Sequence, residues 1–404
     1  MKILHVTASY KPAFVYGGPI MSVAKLCEEV SRWTEDRGLR TKKQKSDVEL
    51  MVYTTLANGK EELPYLAGEE RVVDGVLVKY FKRLTKDHSH FSPALYLHLW
   101  KTVKQFDIVH IHAWWNLVTM PACLITLLRG GKVLLTPRGT LSEYSFINNN
   151  SRLKNIFHQW IGQFLLNKCY FHCTSEKEVA DTKKLLQPKA IFDIPNFVVF
   201  PNSLNMIRQS NLTIKQGLKN NCEDHLKLIF LSRIEQKKGL ELLFDALVTL
   251  DFNWSLAIVG AGEEEYVKAL KAKVESLKLN ESIYWVDAIY GLEKFTLLTQ
   301  HDFLILPSFD ENFANVVIES LATGTPVILT ENVGLSAYVK KNGLGIVHQR
   351  DLNSLIKALN MAKEAKHIGT FSPEVITKRV MIDFQELNIR NQYVNCYRKI
   401  LSID

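Results

Sequence analysis

Short apolar runs alternate with longer amphipathic segments along most of this chain. In the first half, helix-length segments such as 20–33, 92–104, 116–129 and 151–167 separate most of seven apolar runs: KILHVT, DVELMVYTT, GVLVKYF, FDIVHIH, KVLLTPRG, CYFHCTS and AIFDIPN. Strands that alternate with helices are typical of a parallel sheet with helices on both faces. The pattern therefore predicts a doubly wound, Rossmann-like α/β domain over residues 1–200.

The alternation lapses from about 197 to 224, where the sequence is polar and rich in Asn, Ser and Lys, and then resumes. The second series of apolar runs is LKLIFLSR, NWSLAIVGAG, SIYWVDA, DFLILPS and TPVILT. It predicts a second Rossmann-like domain over 201–383, followed by a C-terminal helix at about 384–404. Ligands of open parallel sheets bind beyond the carboxyl ends of the strands. We therefore expect two domains facing a cleft, with the chemistry at those strand ends.

Composition supports two globular domains and argues against a membrane span. The chain has 404 residues, of which 47% are hydrophobic and 23% charged. No apolar stretch approaches the roughly 18 residues of a transmembrane helix, and MKILHVTASY predicts a first strand rather than a signal peptide. The six cysteines form no C-x-x-C pair. These features predict a cytoplasmic protein with reduced thiols.

The positive charge lies in the first half of the chain. Residues 1–200 contain 27 Lys and Arg against 18 Asp and Glu, while the remainder contains 23 against 24. A basic domain attracts nucleic acid, an anionic membrane surface or a phosphorylated substrate. A solvated basic surface, for example around 37–45, explains the excess equally well. Because no known nucleic-acid-binding motif is present, we predict no nucleic-acid partner.

Candidate binding residues follow two strands of the first domain. Gly17 and Gly18 follow the first strand and precede a helix, where amides can approach a phosphate or sugar closely. A flexible turn is the simpler explanation of this pair. His112 and Trp114 lie at the end of FDIVHIH, beside the predicted cleft, and His112 is as easily structural as functional. We assign His110 to packing on the opposite face of that strand.

The second domain supplies cations and carboxylates at its strand ends. Arg233 ends the first strand and Lys238 begins the next helix, so both side chains are predicted to converge on one anion, such as a diphosphate, without a metal. Solvated surface charge is the alternative. Glu311 and Glu319 bracket the segment ENFANVVIE, at a junction between a buried strand and a helix. No Walker A sequence and no D-x-D cluster accompanies them.

The segments SRIEQKKG, LAIVGAGEEE and FLILPSFDENFANVVIESLATGTPVILT, with the N-terminal YGGP, together resemble the retaining GT-B glycosyltransferases with an E-x7-E motif. The resemblance covers nearly the whole chain. It implies that Glu311 reaches the sugar ring of a nucleotide-sugar donor and Glu319 the ribose hydroxyls. It also implies that Arg233 and Lys238 hold the diphosphate, with Gly18 approaching it and His112 beside the sugar. Sugar and phosphate oxygens would be held by amides near four residues, Phe313, Ala314, Asn315 and Val316.

The chain departs from the family pattern at one position, and the resemblance implies a particular reaction. Family members usually carry glycine where Ala314 stands, and a methyl group there is expected to crowd the sugar. The implied reaction transfers a hexose with retained configuration, by a same-face displacement in which the leaving diphosphate accepts the proton of the acceptor. Neither a metal nor another cofactor is expected.

The first domain is expected to bind the acceptor. Arg138 and Trp114 are assigned to a glycan or lipid-linked acceptor, in the synthesis of a bacterial surface polysaccharide, glycolipid or other glycan. A capped loop is an equally good explanation of the segment around Arg138. The basic first half fits peripheral contact with an anionic membrane at its inner face. A sugar-nucleotide epimerase on the same fold and a non-catalytic binder remain the alternatives to a transferase.

Overall fold

The structure is a computed structural model that describes residues 1–36, 48–147, 155–156, 158–200 and 225–403. It divides into two compact units, which we call the first unit (Met1–Phe197 with Gln385–Asp404) and the second unit (Val198–Phe384). The predicted domain boundary after residue 200 lies three residues from this division. The basic cluster at 37–45, Cys222 and most of the polar segment at 197–224 lie outside the described residues.

The first unit is built on an eight-stranded sheet with the order β10-β9-β8-β7-β1-β2-β6-β5. Neighbouring strands are parallel except for β5, which pairs antiparallel with β6, while β3 and β4 form a separate two-stranded ribbon. The strands are β1 Lys2–Val6, β2 Glu49–Thr55, β3 Ala57–Asn58, β4 Glu61–Glu62, β5 Glu70–Val73, β6 Val76–Phe81, β7 Ile108–His112, β8 Lys132–Thr136, β9 Tyr170–Cys173 and β10 Ala190–Asp193.

Helices cover this sheet and bury two apolar clusters against it. β1, β7 and β8 are buried along nearly their whole length, which explains why they appear in the sequence as continuous apolar runs rather than alternating ones. The α-helices of the first unit are α1 Gly18–Asp36, α2 Pro93–Thr102, α3 Thr119–Leu128, α4 Glu143–Ile147, α5 Gln163–Leu166, α6 Glu176–Leu185 and, at the end of the chain, α14 Glu386–Ser402.

The second unit contains a six-stranded, fully parallel sheet with the order β13-β12-β11-β14-β15-β16. Its strands are β11 Leu226–Leu231, β12 Trp254–Val259, β13 Ile283–Val286, β14 Phe303–Leu306, β15 Val327–Thr330 and β16 Gly345–His348. Its α-helices are α7 Leu240–Leu247, α8 Glu264–Ser276, α9 Leu292–Thr299, α10 Asn315–Ala322, α11 Ser336–Asn342, α12 Leu352–Ile368 and α13 Pro373–Asp383. The two parallel sheets confirm the predicted α/β fold class.

Each sheet has one point where the strand order reverses. In the first unit the chain runs outward from β1 to β2 and β6, then returns to place β7 on the other side of β1. In the second unit the reversal falls between β11 and β14. Loops diverge at such a point and leave a crevice at the carboxyl ends of the two strands. The topology therefore places His112 at one switch point, and the loops that carry Lys238 and Glu311 at the other.

The last helix, α14, packs against the first unit. Arg390 forms a buried ion pair with Glu29 of α1, with 2.5 Å between Nη2 and Oε2. Lys132 at the start of β8 donates to the carbonyl oxygen of Ile400 at 2.9 Å. The predicted C-terminal helix at about 384–404 corresponds to α14, which runs from Glu386 to Ser402. Within the described residues, no helix has the length and apolarity needed to cross a bilayer.

Candidate functional site

The loop after β11 carries Lys238 and is held against the loop after β14. Phe309 donates its backbone N–H to the carbonyl oxygen of Lys237 at 2.7 Å. Gly239 has φ 73°, and a Cβ added there would overlap the carbonyl oxygen of Pro307. Only glycine allows both this conformation and this close approach. The loops after β11 and β14 are therefore held in contact directly beside Lys238.

Glu311 is fixed in position by its backbone. It forms an isolated parallel bridge with Val333, in which the N–H of Glu311 donates to Asn332 at 3.2 Å and the N–H of Gly334 donates to Glu311 at 2.8 Å. The loop after β14 is thereby tied to the loop after β15. The side chain of Glu311 is thus carried by a rigid part of the carboxyl edge of the sheet, as a binding or catalytic group requires.

Lys238 and Glu311 form an ion pair that is largely shielded from water. Their side chains are 7% and 19% exposed, and Nζ contacts Oε2 directly. Burial by itself raises the pKa of Glu311, but the charges of Lys238, Lys237 and Arg233 outweigh burial, so the net pKa is lowered. The stability that Glu311 gains is therefore present above its unfolded-state pKa of about 4.3 and is lost as the pH falls through the lower folded-state value.

Arg233 occupies a different environment from Lys238. Its side chain is 59% exposed and pairs with Glu235, with 2.7 Å between Nη1 and Oε1. Since Arg233 also contributes to the lowered pKa of Glu311, it lies within electrostatic reach of that carboxylate. The two cations that we predicted to share one anion each have a carboxylate partner here. That they converge on a diphosphate remains a prediction.

Glu319 lies on α10, and its side chain is 13% exposed. It accepts a hydrogen bond from Nζ of Lys294 on α9 at 2.7 Å. That Glu319 reaches the ribose hydroxyls of a donor remains a prediction, and the sequence did not indicate Lys294 as its partner. Phe313 itself is buried and packs edge-on against Phe384, with ring centroids 6.3 Å apart.

The backbone conformation at Ala314 explains why a glycine suits this position. It precedes the first residue of α10, Asn315, and adopts the left-handed conformation with φ 63° and ψ 74°. A residue with a Cβ pays roughly 1–2 kcal/mol in that region. We predicted that the methyl group crowds a sugar, whereas the structure shows a backbone reason for glycine here. The first amides of α10, including that of Val316, have no acceptor within the helix, as at every helix start.

Gly17 and Gly18 lie at the end of the connection that runs from Val6, the last residue of β1, to α1. Gly17 has φ 71°, and Gly18 is the first residue of α1. A Cβ at either position would meet no described atom within 4 Å. The open space beside them is consistent with a ligand approaching the start of α1, although only the conformation of Gly17 requires glycine.

His112 ends β7 inside a cluster of buried histidines. Burial, followed by the charge of Arg138, holds the pKa of His112 well below its usual range, so the ring is neutral. Nδ1 accepts from Nε of Arg138 at 3.3 Å, and Nε2 lies 2.9 Å from Nδ1 of His5. Both ring nitrogens are therefore engaged within the first unit.

Our assignment of His110 to the opposite face of β7 is wrong. Its ring centroid lies 4.3 Å from that of His112, and it contacts Thr136 and Tyr397 in the same buried cluster. Residues two apart in a strand point to the same face. The alternation of side chains, applied correctly, predicts this pairing.

The assignment of Trp114 to an acceptor is also contradicted. The chain leaves β7 through Ala113, which has φ 66°, and Trp114 then enters the hydrophobic core with no exposed surface. Its neighbour Trp115 is only partly buried. Arg138 keeps a polar setting: Nη1 donates to Oδ1 of Asn196 at 3.3 Å, and Nη2 has no hydrogen-bond partner in the described part of the chain.

Two Rossmann-like units, with a shielded lysine–carboxylate pair at the switch point of the second, define a GT-B type of protein. Family comparison agrees for both units: residues 41–199 match the family described as Glycosyltransferase Family 4, and residues 214–370 match Glycosyl transferases group 1. The two matches together span more than three quarters of the chain. The chain belongs to the group 1 glycosyltransferases.

Individual relatives are distant. The chain is 23% identical over 337 residues to an uncharacterized 41.2 kDa protein in the cps region of Klebsiella pneumoniae, covering 79% of this chain and 86% of that protein. It is 27% identical over 197 residues to the alpha-monoglucosyldiacylglycerol synthase of Streptococcus pneumoniae, covering 46% and 45%. The chain thus spans less than half of the second relative.

Solved structures share the fold at lower identity. Sucrose-phosphate synthase from Thermosynechococcus elongatus superimposes with a TM-score of 0.72 at 16% identity, covering 100% of both chains. Alr3699/HepE from Anabaena, in complex with UDP-glucose, superimposes with a TM-score of 0.67 at 16% identity, covering 99% of this chain and 100% of that one. These likenesses establish the GT-B fold, while the chemistry must be argued from the residues of this chain.

Proposed function

We propose that this protein transfers a hexose from a nucleoside diphosphate sugar to a glycan or lipid-linked acceptor, with retention of configuration at the anomeric carbon. The observation that carries the proposal is the shielded pair of Lys238 and Glu311 at the switch point of the second unit. A lysine held there, with Arg233 and Lys237 nearby, offers positive charge where a diphosphate would leave. The matched families and the Anabaena protein solved with UDP-glucose support a donor of this class.

In the proposed reaction the pair separates when the donor binds. The diphosphate takes the place of the carboxylate beside Lys238, and Glu311 then accepts hydrogen bonds from sugar hydroxyls, as an ionised carboxylate does. Glu319 would accept from the ribose hydroxyls. The bond between the anomeric carbon and the phosphate oxygen breaks, and the leaving diphosphate takes the acceptor's proton on the same face. Positive side chains supply the charge stabilisation, so the proposal includes no metal.

A thermal-shift screen tests the donor class. We expect one nucleotide sugar, among UDP, GDP, ADP and CDP hexoses, to stabilise the protein by roughly 2.7 kcal/mol at 100 times its dissociation constant. For a unit of this size that corresponds to about 5–10 °C in Tm. The matching nucleoside monophosphate, which lacks the second phosphate, should stabilise much less. Equal shifts from the diphosphate sugar and the monophosphate would contradict the proposal.

Glu319→Gln refines the same measurement. If the carboxylate grips the ribose, the wild-type protein should distinguish the nucleoside diphosphate from its 2′-deoxy form, and the variant should lose that discrimination. Glu293→Gln, in the first turn of α9, is the matched control and should retain it.

We propose the class of acceptor from the positive charge of the first unit and from two relatives of the chain. The glycolipid synthase of Streptococcus pneumoniae and the cps-region protein of Klebsiella pneumoniae support a lipid-linked or polysaccharide acceptor for this chain. Arg138 remains the proposed contact of the first unit, since Nη2 has no partner among the described residues. The epimerase alternative gains no support, because both matched families are transferases.

We further propose that the first unit contacts an anionic membrane through exposed aromatic side chains near α5. Trp160 and Phe164 are 80% and 62% exposed, Ile161 is 48% exposed, and Nζ of Lys168 lies 4.0 Å from the centroid of the Phe164 ring. Apolar side chains beside cations on a basic domain favour an anionic bilayer surface.

Vesicle sedimentation tests this contact. Trp160→Ala should weaken binding to phosphatidylglycerol-containing vesicles by about tenfold, because burying one large side chain contributes roughly 1.5–3 kcal/mol. Tyr290→Ala, an equally exposed aromatic of the second unit at 80%, should not change binding. Equal binding of both variants and the wild-type protein would disprove a role for Trp160.

A further inference from the structure

Four buried histidines of the first unit, His5, His110, His112 and His172, form one continuous hydrogen-bonded series with Tyr397 of α14 and Thr136 of β8. The series begins at Arg138, whose Nε lies 3.3 Å from His112 Nδ1, and it continues from His112 Nε2 to His5 Nδ1 at 2.9 Å. Tyr397 Oη then joins His5 Nε2, at 3.3 Å, to His110 Nδ1, at 2.9 Å. Thr136 Oγ1 joins His110 Nε2 to His172 Nδ1, at 2.7 Å each, and the series ends where His172 Nε2 lies 2.8 Å from the carbonyl oxygen of Ile194.

The two ends of the series dictate its direction. An arginine side chain can only donate hydrogen bonds, and a backbone carbonyl oxygen can only accept them. The proton on Arg138 Nε therefore requires a lone pair on Nδ1 of His112, which leaves that histidine protonated on Nε2. The carbonyl of Ile194 requires a proton on Nε2 of His172, which leaves a lone pair on its Nδ1.

These two requirements meet without conflict in the middle. His112 donates from Nε2 to Nδ1 of His5, which donates from Nε2 to Tyr397. The hydroxyl of Tyr397 donates to Nδ1 of His110, which donates from Nε2 to Thr136, whose hydroxyl donates to His172. All four histidines thus carry a single proton on Nε2, and every contact in the series has one donor and one acceptor.

The neutral state of the histidines agrees with this arrangement. Burial lowers the pKa of His5 and of His172 to about 3, and it lowers the pKa of His110 well below its usual range. A second proton on any of these rings would place two donors opposite each other at a buried contact, which costs the energy of an unsatisfied polar group.

We infer that Tyr397 is a positioning residue for His112 and, through it, for Arg138. The hydroxyl of Tyr397 is the only link between His5 and His110 in the series, and it comes from a helix near the end of the chain. Both nitrogens of His112 are engaged, so the ring serves to hold the Arg138 guanidinium rather than to transfer a proton. The role for substrate binding rests on the proposed function, in which Arg138 contacts the acceptor.

A metal site is the competing explanation of the same cluster. The candidate ligand atoms of His5, His110 and His112 lie within 4.8 Å of one another. A metal ion needs a free lone pair on each ligand, whereas each Nδ1 lone pair here accepts a hydrogen bond and each Nε2 carries a proton. The cationic Arg138 beside His112 also opposes a divalent ion. The series therefore predicts that Zn²⁺ does not bind at these three residues.

Tautomers can be measured directly in the full-length protein. With ¹⁵N-labelled histidine at pH 7, long-range ¹H–¹⁵N correlation should show the Nε2–H pattern for all four rings, assigned by single His→Gln variants. A Nδ1–H or doubly protonated ring among them, or loss of the Nε2–H signals when Zn²⁺ is added, would overturn the inference. Since no substrate is present, the result is independent of the donor screen.

Two tyrosine variants on α14 separate positioning from packing. Tyr397→Phe removes the link, so His5 should lose its single-tautomer pattern and the His112 signals should shift. Tyr393→Phe is the matched control: this buried hydroxyl makes a side contact of 3.1 Å with His172 Nε2 at the end of the series and links no two of its members. All four patterns should persist there. Identical His5 and His112 signals in both variants would refute the role of Tyr397. If Tyr397→Phe does not fold, the tautomers of the wild-type protein decide whether the series exists.

Discussion

Replacing Lys238 by methionine is expected to lower kcat by a factor of about 100 or more, with the donor identified in the thermal-shift screen. Loss of one charged or hydrogen-bonding group aimed at developing negative charge typically costs about 2.7–4 kcal/mol of transition-state stabilisation. The side chain is 7% exposed and held beside Glu311 by fastened loops, so water cannot easily replace its charge. Steady-state kinetics with saturating donor measures the effect.

The double variant distinguishes lost catalysis from lost stability. Lys238→Met alone leaves the Glu311 carboxylate shielded without its cation, which destabilises the fold by at most about 3 kcal/mol for a partly exposed pair. Adding Glu311→Gln removes that unpaired charge and should restore much of the urea midpoint, while kcat stays low. Lys268→Met is the control, since Lys268 is 72% exposed and should behave as wild type. Recovery of kcat in the double variant would show that Lys238 acts only through stability.

The ion pair between Lys238 and Glu311 suggests how the second unit balances its positive charge when no donor is bound. Lys238 contacts Glu311 directly, and the charges of Lys237 and Arg233 also lower the pKa of Glu311, so this carboxylate offsets positive charge from all three side chains. Under the proposed function, the carboxylate keeps Lys238 in place before the donor arrives, and the diphosphate then takes its position. Glu311 would then serve two states, which would constrain position 311 beyond its proposed contact with the sugar.

Strands buried on both faces could be predicted from the sequence, while two of the four edge strands, β5 and β16, could not. β11, β12 and β14 are continuous apolar runs because helices cover both faces of a parallel sheet. β5, with the sequence ERVV, is an exposed antiparallel edge strand, and β16, with the sequence GIVH, is short and begins with glycine. Each holds only two adjacent β-branched residues beside charged, small or polar ones, and so short a run does not mark a strand.

Local motifs in the sequence indicated single residues of the candidate site, but they did not indicate which side chains those residues contact. Lys238 and Glu311 emerged from local motifs at strand ends. Lys294, which pairs with Glu319, comes from a separate helix with no spacing to mark it. His5 and Tyr397 are 392 positions apart, so only the tertiary structure brings them together. Trp114 failed for a different reason, because the left-handed Ala113 redirects the chain into the core.

Gly239 links the stability of the second unit to the position of Lys238, and a substitution there is the second change for which we expect a large effect. Gly239→Ala is expected to lower the stability of the second unit by about 2–5 kcal/mol. The left-handed φ of 73° contributes roughly 1–2 kcal/mol, and overlap of the new Cβ with the carbonyl oxygen of Pro307 adds about 1–3 kcal/mol or more. Relief of the overlap requires the loops after β11 and β14 to separate, which moves Lys238 away from Glu311 and should reduce turnover as well.

Gly343→Ala isolates the steric part of this effect. Gly343 ends α11 in the same unit with φ 61°, and a Cβ added there meets no described atom within 4 Å. This variant should therefore show only the backbone cost of roughly 1–2 kcal/mol and retain full kcat. Urea midpoints of both variants report on the same unit, so their difference measures the overlap at Pro307. Equal midpoints would mean that the two loops are free to part, and the rigid placement of Lys238 on which its catalytic role depends would then be wrong.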